Sequence, residues 1–176
     1  MSPEMVLDAS TDEAYAAALA PLFEGAPRFL ARVAVARPFP SRDALFEQAR
    51  AIAHAMPEDD QIELIDAHPR LGAPPGTVSK LSFAEQGYTR PDVASTDDRS
   101  LDVTAELARL NDAYEARFGF RYCVFVAGRT REALLPDMAA ALQADRATEL
   151  HRALDAVVDI ARDRLATLGR TNGETT

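Results

Sequence analysis

Cysteine and basic residues are scarce in this sequence of 176 residues. The single Cys123 excludes a disulfide framework and a cysteine-based zinc site, because both need several thiols. The chain has 19 Lys and Arg against 28 Asp and Glu, a net charge of −9. Without a basic stripe to bind phosphate backbones, we expect no nucleic-acid partner, and small molecules or proteins are the expected partners.

Long apolar runs and targeting signals are also missing. No segment approaches the ~20 apolar residues that cross a bilayer, and the first residues show no basic region followed by an apolar core. The last residues do not form a peroxisomal ending of the Ser-Lys-Leu type. We therefore expect no membrane association and a cytoplasmic location, which a lone cysteine also favours.

The rest of the composition is typical of a folded globular domain, with 47% hydrophobic and 27% charged residues. We expect residues 1–176 to form one compact domain, with fraying over 1–9 and 170–176. Apolar residues recur mostly at helical spacing, and only residues 122–126 resemble a strand. A lone strand cannot form a sheet, so we expect this run to be buried, with a helix as one alternative. The sequence thus predicts an all-α fold of six to eight helices.

Capping residues and prolines mark the expected helix boundaries. A capping box begins at Ser10, Ser41 precedes a clear amphipathic helix, and Gly119 suits a left-handed cap after a long helix. Pro69 opens a loop that extends to residue 80 and ends the helix before it. The last helix is expected to end at Gly169.

The three histidines are His54, His68 and His151, and none has the spacing of a metal site. We expect His54 and His151 to lie on the solvated surface. The glycines form neither a nucleophile elbow nor a phosphate loop, and Cys123 lies in an apolar run that would raise its pKa. Nucleophilic, nucleotide and metal chemistry therefore lose support.

His68 stands apart because Pro69 stiffens the backbone directly after it. An imidazole with an ordinary pKa near ~6.5 either donates or accepts a proton at neutral pH, which suits an acid–base catalyst. The alternative is that the histidine only closes a helix by bonding its last carbonyl groups. The residues alone leave both interpretations open.

Ser82 and Glu85 have the spacing of a capping box, which gives them a purely structural role at a helix start. A helix N-terminus also binds polar ligand groups, and a nearby carboxylate accepts hydrogen bonds from N–H donors such as a ureido group. The two interpretations are compatible. Arg121 interrupts an apolar stretch and needs a partner, which a substrate oxygen would supply.

Three motifs follow one another along the chain: His68-Pro69-Arg70-Leu71-Gly72, Ser82-x-x-Glu85-Gln86 and Tyr114-Glu115-Ala116-Arg117-Phe118-Gly119-Phe120. In this order, on a helical frame, they resemble the 2-oxo-4-hydroxy-4-carboxy-5-ureidoimidazoline (OHCU) decarboxylase family, over about residues 22–168. The resemblance implies an all-α homodimer in urate degradation. It also implies that OHCU is decarboxylated to (S)-allantoin without a metal or an organic cofactor.

By motif, the resemblance implies that His68 is the catalytic histidine and Glu85 its acidic partner, and we expect the two side chains to share a cavity. The implied substrate-binding residues are Pro69, Ser82, Phe83, Ala84, Glu85, Gln86, Gly119, Phe120, Arg121, Tyr122 and Cys123. The substrate itself can accept the electron pair left by carbon dioxide, so the protein need only position, polarise and protonate. Glu85 and the helix start at Ser82 would orient the ureido group, while His68 would polarise the substrate or protonate one face.

The sequence also departs from the family pattern. Arg121 and Tyr122 end a segment that usually reads Phe-Gly-Phe-Pro-Phe, Ala141 stands where an Arg is frequent, and residues 87–91 indicate a small insertion. Two other functions therefore stay open. One is a non-catalytic helical binding module of the same fold, and the other is a cofactor-free lyase or hydrolase that acts on a related cyclic ureide.

Overall fold

The computed structural model describes residues 11–173, with the backbone alone for residues 92 and 171–173. Within that range the chain forms nine α-helices and no strand, and the shortest helix has four residues. The all-α prediction is confirmed. The helices are α1 (Asp12–Leu19), α2 (Pro27–Val35), α3 (Arg42–Ala55), α4 (Glu58–Asp66), α5 (Lys80–Glu85), α6 (Pro91–Ala94), α7 (Asp98–Phe118), α8 (Arg131–Ala141) and α9 (Arg146–Gly173).

The helices belong to two compact units. The first contains residues 11–68 and 154–173, and the second contains residues 69–153. Helix α9 contributes its first two turns to the second unit and the rest of its length to the first. None of the helices described between residues 11 and 173 is long and apolar enough to cross a membrane.

The first unit forms where apolar residues recur at three- and four-residue steps. Pro27 begins α2, where its fixed φ and missing N–H are harmless, and Phe29, Leu30 and Val33 then lie on its buried face. Ser41 caps α3, because its Oγ accepts a hydrogen bond from the Ala44 N–H at 3.1 Å. The core of this unit includes Leu19, Phe23, Phe29, Leu30, Leu45, Phe46, Leu64, Ile65, Val157 and Leu165.

The second unit is organised around the buried face of α7. Tyr114 lies at the centre of an aromatic cluster, with ring centroids 4.6 Å from Phe118, 5.8 Å from Phe120 and 5.1 Å from Tyr122. Gly119 ends the helix with φ of 80°, a left-handed conformation that glycine adopts without a steric penalty. The predicted cap is therefore confirmed.

Some expected boundaries are wrong. The predicted first cap, Ser10, lies outside the described residues, and Thr11 caps α1 through the Ala14 N–H. The last helix passes Gly169 and continues to Gly173, because one glycine costs a helix only about 1 kcal/mol and no proline follows it. Residues 121–126 are buried or half-buried as expected, but they form no helix. Residues 1–9 and 174–176, which we expected to fray, lie outside the described part.

Gly119→Ala should lower the free energy of unfolding by about 1 to 2 kcal/mol, since an alanine at positive φ brings its Cβ close to a carbonyl oxygen. Crowding by more distant residues is not the cause, because a Cβ at Gly119 would meet no atom within 4 Å outside Gly119 and its two chain neighbours. Gly76 is the matched control, since it is equally open but has no positive φ. Urea unfolding should show a change below about 0.5 kcal/mol for Gly76→Ala. Equal losses in the two variants would contradict the explanation.

Candidate active site

His68 lies at the end of α4, as the sequence predicts. Its backbone N–H donates to the Ile65 carbonyl at 3.1 Å, and its side chain is 5% exposed. Its Nδ1 lies 3.3 Å from the Leu64 carbonyl oxygen. Because a carbonyl only accepts, Nδ1 carries the proton and Nε2 is the basic nitrogen of the neutral ring. Nδ1 therefore closes the helix, and Nε2 is the ring atom that can accept a proton.

The surroundings of His68 keep the imidazole neutral. Burial lowers its pKa from 6.5 to about 4, and the positive charge of Arg164 acts in the same direction. The carboxylate of Glu24 and the hydrogen bond to Leu64 oppose this effect without cancelling it. At neutral pH the group is thus a proton acceptor rather than a cation.

Arg164, which no sequence motif singled out, has a side chain that is only 1% exposed. Its guanidinium donates to the Glu24 carboxylate at 2.8 Å and to the Pro21 carbonyl at 2.9 Å. The available signal was its place in α9, where it shares the apolar face with Ala161 and Leu165. A cation at a position reserved for apolar side chains needs buried partners, which indicates a special role.

In the second unit, Glu85 lies at the C-terminal end of α5, whereas we predicted it in the first turn of the helix. The Oγ of Ser79 accepts the Ser82 N–H at 3.1 Å, so Ser79 caps α5 and Ser82 lies inside the first turn. Glu85 is the last residue of α5. The expected capping box from Ser82 to Glu85 is therefore wrong, because an equally good cap precedes it by three residues. The backbone N–H of Ser82 is used within the helix start rather than offered to a ligand.

Gln86, directly after Glu85, is bound to the loop that follows His68 in sequence. Its Oε1 accepts the Gly72 N–H at 2.7 Å, and its Nε2 donates to the Arg70 carbonyl at 3.2 Å. Asn111 of α7 donates to the Leu71 carbonyl at 2.9 Å and secures the same loop. Both ends of the Gln86 amide therefore hold the backbone, and this side chain has a structural role in the second unit.

The segment 119–123 places its aromatic side chains in the core and leaves its backbone without regular structure. Phe120 and Tyr122 are 1% and 4% exposed and contact Tyr114 edge to face. Arg152 donates to the Cys123 carbonyl at 2.9 Å and lies 4.7 Å from the centre of the Tyr122 ring. The backbone, rather than the rings, is thus the part of this segment that suits a ligand.

Hydrogen bonds within the second unit connect the region after α5 with the region after the 119–123 segment. Arg90, which follows α5, donates to the carbonyls of Gly128 and Arg129 at 3.0 Å each, beyond the end of the 119–123 segment. Phe83 stacks on Tyr88 with centroids 5.0 Å apart. Of the other predicted site residues, Ala84 is exposed and Pro69 and Arg121 are partly exposed.

The other histidines differ from each other. His151 is exposed, as we expected. His54 is not simply solvated, because its Nε2 lies 2.8 Å from the Asp155 carboxylate, which also pairs with Arg50. The described residues contain no group of three His, Cys, Asp or Glu side chains arranged to hold a metal ion.

Comparison with known proteins identifies the family. The family model described as OHCU decarboxylase matches residues 8–166. The chain belongs to the OHCU decarboxylase family. The resemblance that the three motifs indicate is therefore confirmed. The match includes both units and all the residues singled out above.

Curated relatives agree with this membership. The chain is 33% identical over 157 residues to the uric acid degradation bifunctional protein PucL of Bacillus subtilis, covering 89% of this chain and 31% of that protein. It therefore spans about a third of that relative's length. It is 30% identical over 155 residues to 2-oxo-4-hydroxy-4-carboxy-5-ureidoimidazoline decarboxylase of Haloferax volcanii, covering 88% of this chain and 89% of the relative. The mouse protein of that name is 30% identical over 150 residues, with 84% and 82% covered.

Solved structures share the fold. A crystal structure of OHCU decarboxylase in the presence of (S)-allantoin matches with a TM-score of 0.68 and 25% identity, covering 92% of this chain and 99% of the other. A crystal structure of (S)-allantoin synthase matches with a TM-score of 0.64 and 19% identity, covering 95% and 54%. The second likeness concerns the fold alone.

The depressed pKa of His68 predicts an acid-sensitive stability. Between pH 6.5 and 4 the unfolded imidazole binds a proton that the folded one does not, so the free energy of unfolding falls as the pH falls. The loss should reach about 3 kcal/mol, the equivalent of two to three pKa units.

Urea unfolding over this pH range should show that His68→Asn removes most of this dependence. His151→Asn, at an exposed position, is the control and should retain it. An identical pH dependence in wild type and His68→Asn would show that another group is responsible.

Proposed function

We propose that this protein decarboxylates OHCU to (S)-allantoin in urate degradation, with His68 as its acid–base residue. The observation that carries the proposal is the buried, neutral imidazole at the exit of α4, held by Leu64 and lying in the field of Arg164. Family membership and the relatives named for this reaction supply the substrate.

The reaction breaks the bond between the carboxylate carbon and the ring carbon that carries the hydroxyl group. The released electron pair forms a double bond to the neighbouring ring carbon, and the C=N pair moves to nitrogen, which takes a proton. The hydroxyl then loses its proton, and the ureido-bearing carbon gains one on a single face. No external electron sink is needed, so the protein's task is orientation and proton transfer.

His68 is suited to the proton steps. Its Nε2 accepts the hydroxyl proton while Nδ1 remains bound to the Leu64 carbonyl, so the ring is charged only when the substrate is present. An anionic substrate raises the pKa of the imidazole, because an opposite charge favours the protonated form. The charged imidazole then delivers a proton to one face of the ureido-bearing carbon of the substrate, which accounts for a single stereoisomer.

Arg164 provides the matching electrostatics. Its positive charge lowers the pKa of His68, and the carboxylate of Glu24 offsets this effect only in part. A positive potential at this position attracts a carboxylate substrate and opposes premature protonation of the imidazole. The same guanidinium thus attracts the substrate and keeps the free His68 unprotonated.

Glu85 and the backbone of residues 119–123 bind the rest of the substrate in this proposal. The carboxylate of Glu85 accepts hydrogen bonds from the ureido N–H groups, and the backbone of the segment lines the pocket. Pro69, Phe83, Ala84 and Arg121 contribute their surfaces, as the family resemblance implies. Ser82 and Gln86 contribute mainly by shaping α5 and the loop after His68, because their polar groups are engaged there.

Freshly made OHCU, from urate, urate oxidase and hydroxyisourate hydrolase, provides the test, with allantoin chirality followed by circular dichroism. Wild type should accelerate the formation of (S)-allantoin. Racemic allantoin at the uncatalysed rate would favour a binding module. Consumption of OHCU to another product would favour an enzyme of a related cyclic ureide.

His68→Asn should lower kcat at least tenfold, since a positioned acid–base group contributes about 10²- to 10⁴-fold. His151→Asn is the control and should retain the wild-type rate. A His68→Asn variant that retains more than about a tenth of the rate would exclude the proposed role.

Glu85→Gln should also slow the reaction, with the larger change in KM, because the carboxylate binds the substrate in its ground state. Glu106→Gln, at a carboxylate of α7 whose side chain is 42% exposed, is its control. In the double variant His68→Asn/Glu85→Gln, the loss of kcat/KM should be smaller than the product of the two single losses if both groups act on one substrate. Independent losses would contradict a shared site.

We also propose a cytoplasmic homodimer. The buried single thiol of Cys123 suits a reducing compartment, and the dimer is what the family resemblance implies. Light scattering after gel filtration measures the mass directly, and a value near the 19.1 kDa of one chain would contradict the dimer.

A further inference from the structure

The irregular segment 121–126 has the backbone groups of a strand but no strand beside it in the described part of the chain. Buried N–H and C=O groups need partners, and here arginine side chains supply several. Arg152 donates to the Cys123 carbonyl at 2.9 Å, and Arg129 donates to the Phe125 carbonyl at 2.8 Å. Arg146 donates to the Phe118 carbonyl at 2.9 Å, just before the segment. The shape of this backbone therefore depends on arginines fixed elsewhere.

Arg152 has several fixed partners in the second unit. Its Nε lies 2.9 Å from the Glu149 carboxylate, one turn earlier on α9, and its guanidinium also lies over the Tyr122 ring. Glu149 is 3% exposed and accepts the Tyr114 hydroxyl at 2.7 Å. Tyr114, Glu149 and Arg152 thus form a chain of contacts that ends at the Cys123 carbonyl.

Stability alone does not explain this cluster. Burying the Glu149 carboxylate costs several kcal/mol and partly burying the Arg152 guanidinium, whose side chain is 33% exposed, adds to that cost. Apolar residues of similar size often fold as well or better. A planar guanidinium, however, fixes direction, because its donors point at two acceptors in a rigid fork. The cluster is therefore better suited to orienting a backbone group than to stabilising the fold.

We propose that Glu149 and Arg152 are positioning residues, which hold the backbone of residues 119–123 in the shape that receives the substrate. This inference rests on the proposed decarboxylation. Glu149 fixes the guanidinium, and Arg152 fixes the Cys123 carbonyl and the Tyr122 ring. Neither side chain reacts with the substrate.

The chain contains a matched control for this pair. Glu106 and Arg109 of α7 have the same three-residue spacing, with donor–acceptor distances of 2.6 and 2.8 Å, but both side chains are exposed and neither contacts the segment. Arg109→Met therefore removes an ion pair of the same type without affecting the proposed site.

The experiment compares Arg152→Met with the double variant Glu149→Gln/Arg152→Met. The double variant leaves no uncompensated buried carboxylate, so its thermal unfolding should return toward that of the wild type. Its kcat/KM should nevertheless stay about 10- to 100-fold low, since a displacement near 1 Å costs about that much. Calorimetry with (S)-allantoin should show weaker binding by a similar factor. Arg109→Met should leave both values unchanged.

The inference is overturned if the folded double variant has kcat/KM and (S)-allantoin affinity within about twofold of wild type. It is also overturned if activity simply follows thermal stability across the variants.

Should Arg152→Met fail to fold, Arg152→Lys keeps the charge beside Glu149 but lacks the planar fork, and should still lose about tenfold in kcat/KM. Wild type is assayed first. An inactive wild type refutes the proposed function, whereas an active wild type with fully active variants refutes this inference alone.

Discussion

The burial of Arg164 is the constraint on which the first unit depends. A guanidinium without water must find acceptors inside the protein, and Arg164 finds them in the Glu24 carboxylate and in carbonyl groups of the turn after α1. This requirement fixes the turn against α9. The same charge lowers the pKa of His68, so one buried cation both organises the unit and sets the protonation of its imidazole.

The second unit also contains irregular backbone whose buried N–H and C=O groups need hydrogen-bond partners. Its loop at residues 70–73 and its segment at 119–126 lack the hydrogen-bond ladders of helices or sheets, yet both contain buried residues. Side chains anchored on helices supply the missing partners: Gln86 and Asn111 for the loop, and Arg146 and Arg152 for the segment. These bonds hold the irregular backbone at several points, and a site that must orient a small substrate needs such support.

The sequence predicts the helices well because apolar period, caps and prolines act locally, as at Ser41 and Gly119. Sequence-based prediction fails where two residues are equally good caps for the same helix. Ser79 and Ser82 are both good caps, and only the folded loop decides that α5 begins after Ser79. It also fails for Arg164 and Glu149, because their partners are distant in sequence or supplied by tertiary packing. Motif order identified the family, but only the structure reveals which groups fix the geometry.

The neutral state of His68 determines the order of events in the proposed reaction. A permanently charged imidazole at this buried position would need a permanent counter-charge, and desolvation opposes it. A carboxylate substrate supplies the counter-charge only on binding, so the imidazole becomes a stronger base when a proton must be accepted. The negative charge does not leave with carbon dioxide, because the released electron pair remains on the substrate, and loss of the hydroxyl proton to Nε2 then gives an enolate beside the imidazolium. The imidazolium returns its proton to the ureido-bearing ring carbon, which neutralises both charges and links loss of the carboxylate to protonation of that carbon without a metal or a cofactor in the sequence of steps.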